Sequence, residues 1–209
     1  MGEIKTSDIQ EINTPEKQEF KEIHPQEGMT PQEADKFWNK ELGEWKSQDL
    51  STDVYTDDNG KTYREGDKLV PNNKFEIDGF KYETDDEGRT TSVEGQLAIA
   101  EKKPRDMDSM DVVGKGDNLD GDQRGHLIAH WFGGSDKLEN LVPMSGELNQ
   151  GEYAKMEHEL ADAVQDDADV HMKVEPIYRG DSNRPSEIKV TYRINGDTSV
   201  KVFRNGGNS

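Results

Sequence analysis

The chain holds too few branched and aromatic side chains to pack all 209 residues around one core, and they are unevenly placed. Leu, Ile, Val and Phe number 38, of which 11 fall in residues 1–73 and 27 in residues 74–209. A core is therefore expected in the second part, with residues 1–50 as a helical N-terminal extension or linker and residues 51–209 as one domain. Charge sharpens the point: 45 acidic against 26 basic side chains leave a net −19, near the composition at which chains fail to collapse. Residues 171–209 form the one net-basic segment, with seven basic and four acidic side chains.

Several classes are excluded at once. No run approaches 18 uncharged apolar residues, so no membrane-spanning helix is expected, and the charged N-terminus lacks the apolar stretch of a signal peptide. Export would require a specialised system or a longer precursor. The absence of cysteine removes disulfides, thiolate zinc sites and a Cys nucleophile.

Thr14-Pro15 and Thr30-Pro31 read as helix starts, the second completed by Glu33 as a capping box. Ala34, Phe37, Trp38, Leu42 and Trp45 then follow helical spacing. From residue 51 the punctuation changes to turns. Tyr55–Thr62 and Tyr82–Thr90 each place Asp-Asp-x-Gly between strand-favouring residues and are expected as hairpin tips. Their acids do not match calcium-loop spacing. Residues 92–99 alternate as a strand, and residues 102–121 read as a loop. Leu148–Val164 has helical period, with Tyr153, Met156, Leu160 and Val164 on one stripe. Ile188, Val190, Tyr192 and Ile194, then Asn195-Gly196, then Val200, Val202 and Phe203 predict a hairpin with one buried and one cationic face. The fold class is α+β.

The passage from Asp122 to Glu157 contains what composition does not explain. Arg124-Gly125-His126 runs directly into Leu127-Ile128-Ala129, which places a histidine at the mouth of a buried strand, with Gly125 allowing close approach of a ligand. Such a histidine serves either structure or catalysis. On one continuous helix, Asn149 and Glu157 share the half that carries the apolar stripe, and polar groups turned inward need partners. Capping and ion pairing would satisfy them. So would a hydrated Mg²⁺, which prefers oxygen and keeps its waters. His126 would then be a general base and Arg124 a cationic clamp, the parts of a phosphodiesterase. His130, four residues beyond His126, could form a zinc pair with it, but in an extended strand four residues span over about 12 Å, which disfavours that reading.

At this point the passage resembles the DNA/RNA non-specific endonucleases of the ββα-metal, or His-Me finger, superfamily. The R-G-H element is followed by Asn140, Asn149 and Glu157 within an FGGS…NLVP…LN.G.Y..ME setting. It is similar in particular to the C-terminal toxin domains of bacterial polymorphic toxins, over residues 74–205. The resemblance implies a ββα-metal core flanked by antiparallel strands and hairpins, and a metal-dependent endonuclease acting on DNA, RNA or both. It assigns His126 as general base and Asn149 as the direct ligand to Mg²⁺, with Mn²⁺ as a substitute. Glu157 holds a metal-bound water, Asn140 orients the histidine or the metal shell, and Arg124 contacts phosphate. Where the family often writes Asp-Arg-Gly-His, this chain has Gln123, and the acid is Asp122, one residue earlier, expected in a supporting position. The resemblance also implies a toxin secreted by a specialised bacterial system, acting in the target-cell cytoplasm and held inactive in its producer by an immunity protein.

The net charge opposes binding to nucleic acid. Over a screening length of about 8 Å, however, local charge outweighs the sum. Lys102, Lys103, Arg105 and Lys115, with Lys189, Arg193, Lys201 and Arg204 on the basic hairpin, are the candidates for phosphate contacts. The rival class is an acidic, non-catalytic interaction protein, an immunity factor or nucleic-acid mimic. It explains the charge but not the register of Arg124, His126, Asn149 and Glu157.

Overall fold

The two Asp-Asp-x-Gly stretches do turn the chain, and for one reason. Asp57 Oδ1 accepts from the N–H groups of Asn59 and Lys61, at 2.9 and 2.8 Å, and Asp85 Oδ1 accepts from those of Glu87 and Arg89, at 3.1 and 2.8 Å. Each carboxylate replaces a backbone partner across its tip. The structure, a computed structural model, describes residues 53–101 and 104–206; the helix starts and aromatic stripe expected in residues 1–50 lie outside them.

Strands β1 (Val54–Thr56), β2 (Thr62–Glu65) and β3 (Lys68–Leu69) form a small sheet in that order. Next come β4 (Lys74–Ile77), β5 (Phe80–Thr84) and β6 (Thr90–Gln96). Tyr63, Phe75 and Tyr82 stack in series, with centroids 4.8 and 5.3 Å apart, and join the two sheets. The segment expected as loop contains a short helix, α1 (Met110–Gly114), capped by Ser109. Hairpin strands β7 (Asp122–His126) and β8 (Leu141–Ser145) follow, separated by a 3₁₀ turn at His130–Phe132, then helices α2 (Gly146–Gln150) and α3 (Glu152–Gln165). Strands β9 (Val170–Ile177), β10 (Glu187–Ile194) and β11 (Asp197–Arg204) complete an antiparallel six-stranded sheet of order β11-β10-β9-β6-β5-β4.

The β7–β8–α2–α3 module is thus inserted between β6 and β9, which are neighbours in the sheet. Leu97 N–H donates to Val170 O at 2.8 Å where the chain leaves and returns. Tyr153, Met156 and Leu160 of α3 are buried, and the Tyr153 ring meets Phe203 of β11 at 5.2 Å. Met172, Val174, Ile188 and Val190 are fully buried in the sheet. On the other side, Arg184 grips Asp122 of β7 at 2.7 and 2.9 Å, and Asn205 donates to Pro143 O of β8 at 2.8 Å. The C-terminal arm therefore clamps the hairpin.

The expected β10–β11 hairpin is present, with Asn195 and Gly196 both at positive φ (51° and 99°) as a type I′ tip requires. One part of its pattern is corrected. Phe203 pairs with Ile188 and is buried, but Val200 and Val202 lie opposite Thr191 and Lys189 and are more than half exposed. They differ from Phe203 in parity and so project to the outer face.

Candidate active site

His126 ends β7, paired with Leu141 of β8. The glycine before it is required by packing: a Cβ at Gly125 would lie 2.6 Å from Met144 Cβ. The close neighbour is thus the adjacent strand, not the ligand expected from sequence. Beyond His126 the chain does not stay extended. Leu127 N–H donates to Asn140 O, and the fully buried Asn140 side chain accepts from Ile128 N–H at 3.0 Å while donating to Ile128 O and Ser135 O, both at 2.8 Å. These bonds close the loop of residues 128–140, and a Cβ at Gly134 would collide with Ile128 O.

Closing the loop brings Asp136 back over His126. Asp136 Oδ1 lies 2.7 Å from His126 Nε2 and 3.1 Å from His130 Nδ1, and its other oxygen accepts from Asp106 N–H at 3.0 Å. The two imidazole centroids are 6.3 Å apart. The spacing objection to a His126–His130 pair therefore fails, because the strand ends at His126. Burial raises the Asp136 pKa, but the His126 hydrogen bond and the Asp106 N–H outweigh it, and the net shift is downward. An ionised carboxylate only accepts, so neutral His126 carries its proton on Nε2 and leaves the Nδ1 lone pair available. Burial also holds the His126 pKa below the ordinary histidine value, opposed by Asp136 and reinforced by Arg105 and His130. Asp136 was not singled out from the sequence; its one signal there is its position inside the FGGS…NLVP passage.

The remaining residues approach from both sides. Arg124, two residues before His126 on the same strand face, donates to Asp108 O at 3.1 Å. Asn149 donates from Nδ2 to Gln123 Oε1 at 2.7 Å. It stands on α2, separated from α3 by Gly151 (φ −105°, ψ −109°), so the single continuous helix used to align Asn149 with Glu157 does not exist. Glu157 lies one turn beyond Tyr153, whose hydroxyl donates to Leu127 O at 2.8 Å, and one residue before His158, whose ring stacks on Trp131 at 5.1 Å. This face of α3 therefore packs on the segment after His126. Glu157 is only 8% exposed, with no hydrogen-bond or ion-pair partner among the described residues. Burial pushes its pKa up to about 8, with the charge of Arg105 pulling the other way. Arg105 is thus close enough to act electrostatically on both His126 and Glu157.

Other expected site residues lie elsewhere. Asp122 is held by Arg184 and by Leu119 N–H at 2.8 Å, so the carboxylate in contact with His126 is Asp136. Lys115 lies among Lys68, Asp85, Glu87 and Arg89. Arg193 is exposed on β10, opposite His171 and Thr198. Lys189 and Lys201 are paired with Glu175 and Glu159, at 2.8 and 3.0 Å. Lys102 and Lys103 lie outside the described residues.

A two-stranded hairpin ending in a histidine, followed by helices that carry an amide and a buried carboxylate, is a ββα-metal nuclease framework within an α+β domain. The sequence pattern of the DNA/RNA non-specific endonuclease family matches residues 71–196, and the chain belongs to that family. It is 34% identical over 133 residues to the type VII secretion system protein EssD of Staphylococcus aureus, in strains USA300 and NCTC 8325. That match covers 61% of this chain but only 22% of the relative, so the chain spans about a fifth of the length of the curated relatives it matches. The fold is similar to that of NucA from Streptococcus agalactiae with magnesium ion bound: TM-score 0.50 and 18% identity, covering 75% of this chain and 81% of that one.

Proposed function

We propose that this domain is a metal-dependent endonuclease that hydrolyses phosphodiester bonds of DNA, RNA or both. The observation that carries the reading is His126, its tautomer set by Asp136, together with a buried carboxylate, Glu157, on the helix that packs on the segment after His126, with no hydrogen-bond or ion-pair partner among the described residues. Ionising a buried carboxyl group is costly, which is why its pKa is raised, and a divalent cation would offset that cost. Glu157, through water, and the Asn149 amide oxygen would hold Mg²⁺. Bound there, Mg²⁺ supplies positive charge where negative charge builds on the phosphate. His126 Nδ1 accepts the proton of the attacking water, and Asp136 stabilises the resulting imidazolium. Arg124 and Arg105 attract the phosphate, with no contact to base edges and hence weak sequence preference. The expected product carries a 5′ phosphate.

The test is purified protein incubated with plasmid DNA and with total RNA, in Mg²⁺ or in EDTA. Degradation in Mg²⁺ that stops in EDTA is expected. Intact nucleic acid in both Mg²⁺ and Mn²⁺ would return the protein to the acidic binding class. Relatives named as type VII secretion system proteins, together with the family, support a wider reading: the toxic effector domain of a secreted protein, acting in the cytoplasm of a target cell and restrained in its producer by an immunity protein. No helix among the described residues is long and apolar enough to cross a membrane.

The pH dependence has a definite sign. The base must be neutral, and its pKa is lowered, so in saturating Mg²⁺, which keeps Glu157 ionised against its raised pKa, the acidic limb of the rate profile should lie below the ordinary histidine midpoint of about 6.5. Asp136, Arg105 and His130 are the charged or titratable groups acting on it. Removing the charge of Asp136, which raises the His126 pKa, should shift that limb further down. A limb at or above 6.5 in the wild-type protein would contradict the assignment.

A further inference from the structure

We infer that His126, His130 and Asp136 form a second metal site, selective for Zn²⁺ over Mg²⁺, whose occupation switches the nuclease off by changing the tautomer of its base. One ligand atom from each of His126, His130 and Asp136 lies within 4.8 Å of the other two, and His126 Nε2 and His130 Nδ1 both face Asp136 Oδ1. Tetrahedral zinc with ligand bonds near 2.0–2.1 Å needs its donors about 3.3 Å apart. The 2.7 and 3.1 Å separations from Asp136 Oδ1 therefore need to open by a few tenths of an ångström, and the two imidazole donors, within 4.8 Å of each other, need to close toward the same distance. A cleft of about 220 Å³, lined in part by His130, Gly133, Asp136 and Pro104, gives access and room for water as the fourth ligand. Two imidazoles and one carboxylate suit zinc. Mg²⁺ is served by all-oxygen sets and gives up its waters reluctantly.

The inhibitory consequence follows from the proton count. In the zinc-free protein, Nε2 of His126 and Nδ1 of His130 hold the protons they donate to Asp136. Each imidazole that coordinates zinc must free that nitrogen, so the proton of neutral His126 moves to Nδ1 and that of His130 to Nε2. No proton is gained or lost overall. Nδ1 of His126, the atom assigned to accept the proton of water, then becomes a donor with no lone pair. Zinc thus blocks the base from behind, without occupying the place assigned to Mg²⁺. Binding does not depend on the proposed activity; only the inhibition does.

Zinc affinity of the whole chain is measured by competition with a chromophoric chelator, in saturating Mg²⁺. One Zn²⁺ per chain is expected. His130→Ala and the near-isosteric His130→Gln should each weaken binding by more than the roughly 10–100-fold that losing an outer partner costs, whereas Glu157→Gln should leave it unchanged. Circular dichroism confirms that each variant is folded. In the nuclease assay, each variant normalised to its own zinc-free rate, zinc inhibition should resist a large excess of Mg²⁺ and disappear in His130→Gln. The inference is overturned by the absence of a zinc site in saturating Mg²⁺, by zinc binding indifferent to both His130 variants, or by binding lost in Glu157→Gln. It is equally overturned by inhibition that excess Mg²⁺ relieves. Zinc binding by a protein that degrades nothing would sink the nuclease reading and leave the site standing.

Discussion

Replacing His126 with alanine should lower the Mg²⁺-dependent rate by about 10²–10⁴-fold, the range a positioned general base supplies, and leave the domain folded. The imidazole is the group whose Nδ1 lone pair Asp136 leaves available, so its removal deletes the proton acceptor outright. The local structure is held by neighbours instead: Leu127 and Ile128 are fully buried, and the Asn140 bonds run to the backbone of residues 127, 128 and 135. Asp136→Asn separates positioning from chemistry. It keeps the base but removes the charge that stabilises the imidazolium, so kcat should fall by less than in His126→Ala, with KM little changed. Rates from initial plasmid nicking, beside urea denaturation of the same preparations, decide the matter. A His126→Ala protein that is folded and fully active would remove the histidine from the mechanism.

The hairpins were legible because their signals are local. Asp57 and Asp85 cap their own turns, and Asn195-Gly196 adopts the two positive φ values such a tip needs. The apolar stripe Tyr153, Met156 and Leu160 was equally plain, since a helix face is a short-range pattern. What escaped notice depends on chain reversals. Asp136 is one acid among 45, and only the closed loop places it on His126. A separation of about 12 Å between His126 and His130 holds only for a continuous strand, and the strand stops at His126. Helical periodicity runs through Gly151, yet this residue divides the helix, so Asn149 and Glu157 share no common wheel. Asp122 drew attention by standing near the Arg-Gly-His element, but its partner, Arg184, is 62 residues away.

An acidic net charge does not bar the polyanionic substrate proposed for this site. The net −19 belongs to the whole chain, and both lysines of the basic hairpin, Lys189 and Lys201, are paired with glutamates. Arg105 and Arg124 instead stand by the site, Arg105 acting on both His126 and Glu157 and Arg124 two residues before the histidine. Local placement, not composition, decides what phosphate meets there.

Asn140→Ala should strongly destabilise the domain, by about 3–9 kcal/mol, because three bonds are lost together and each buried group left unpaired costs about 1–3 kcal/mol. Ile128 N–H, Ile128 O and Ser135 O would all lose their side-chain partner; Asn140 and Ile128 are fully buried, and Ser135 is half-buried. A loss of that size is a large share of the roughly 5–15 kcal/mol that holds a typical domain together. Activity would fall as well, but through the loop: without Asn140, Asp136 is no longer carried onto His126. Asn140→Asp tests this physical cause, since it keeps the acceptor for Ile128 N–H but loses both donors and introduces a buried charge, and it should be no better than alanine. Urea midpoints for the two variants and the wild type measure the loss. A midpoint unchanged by Asn140→Ala, with activity abolished, would instead place Asn140 in the chemistry and not in the scaffold.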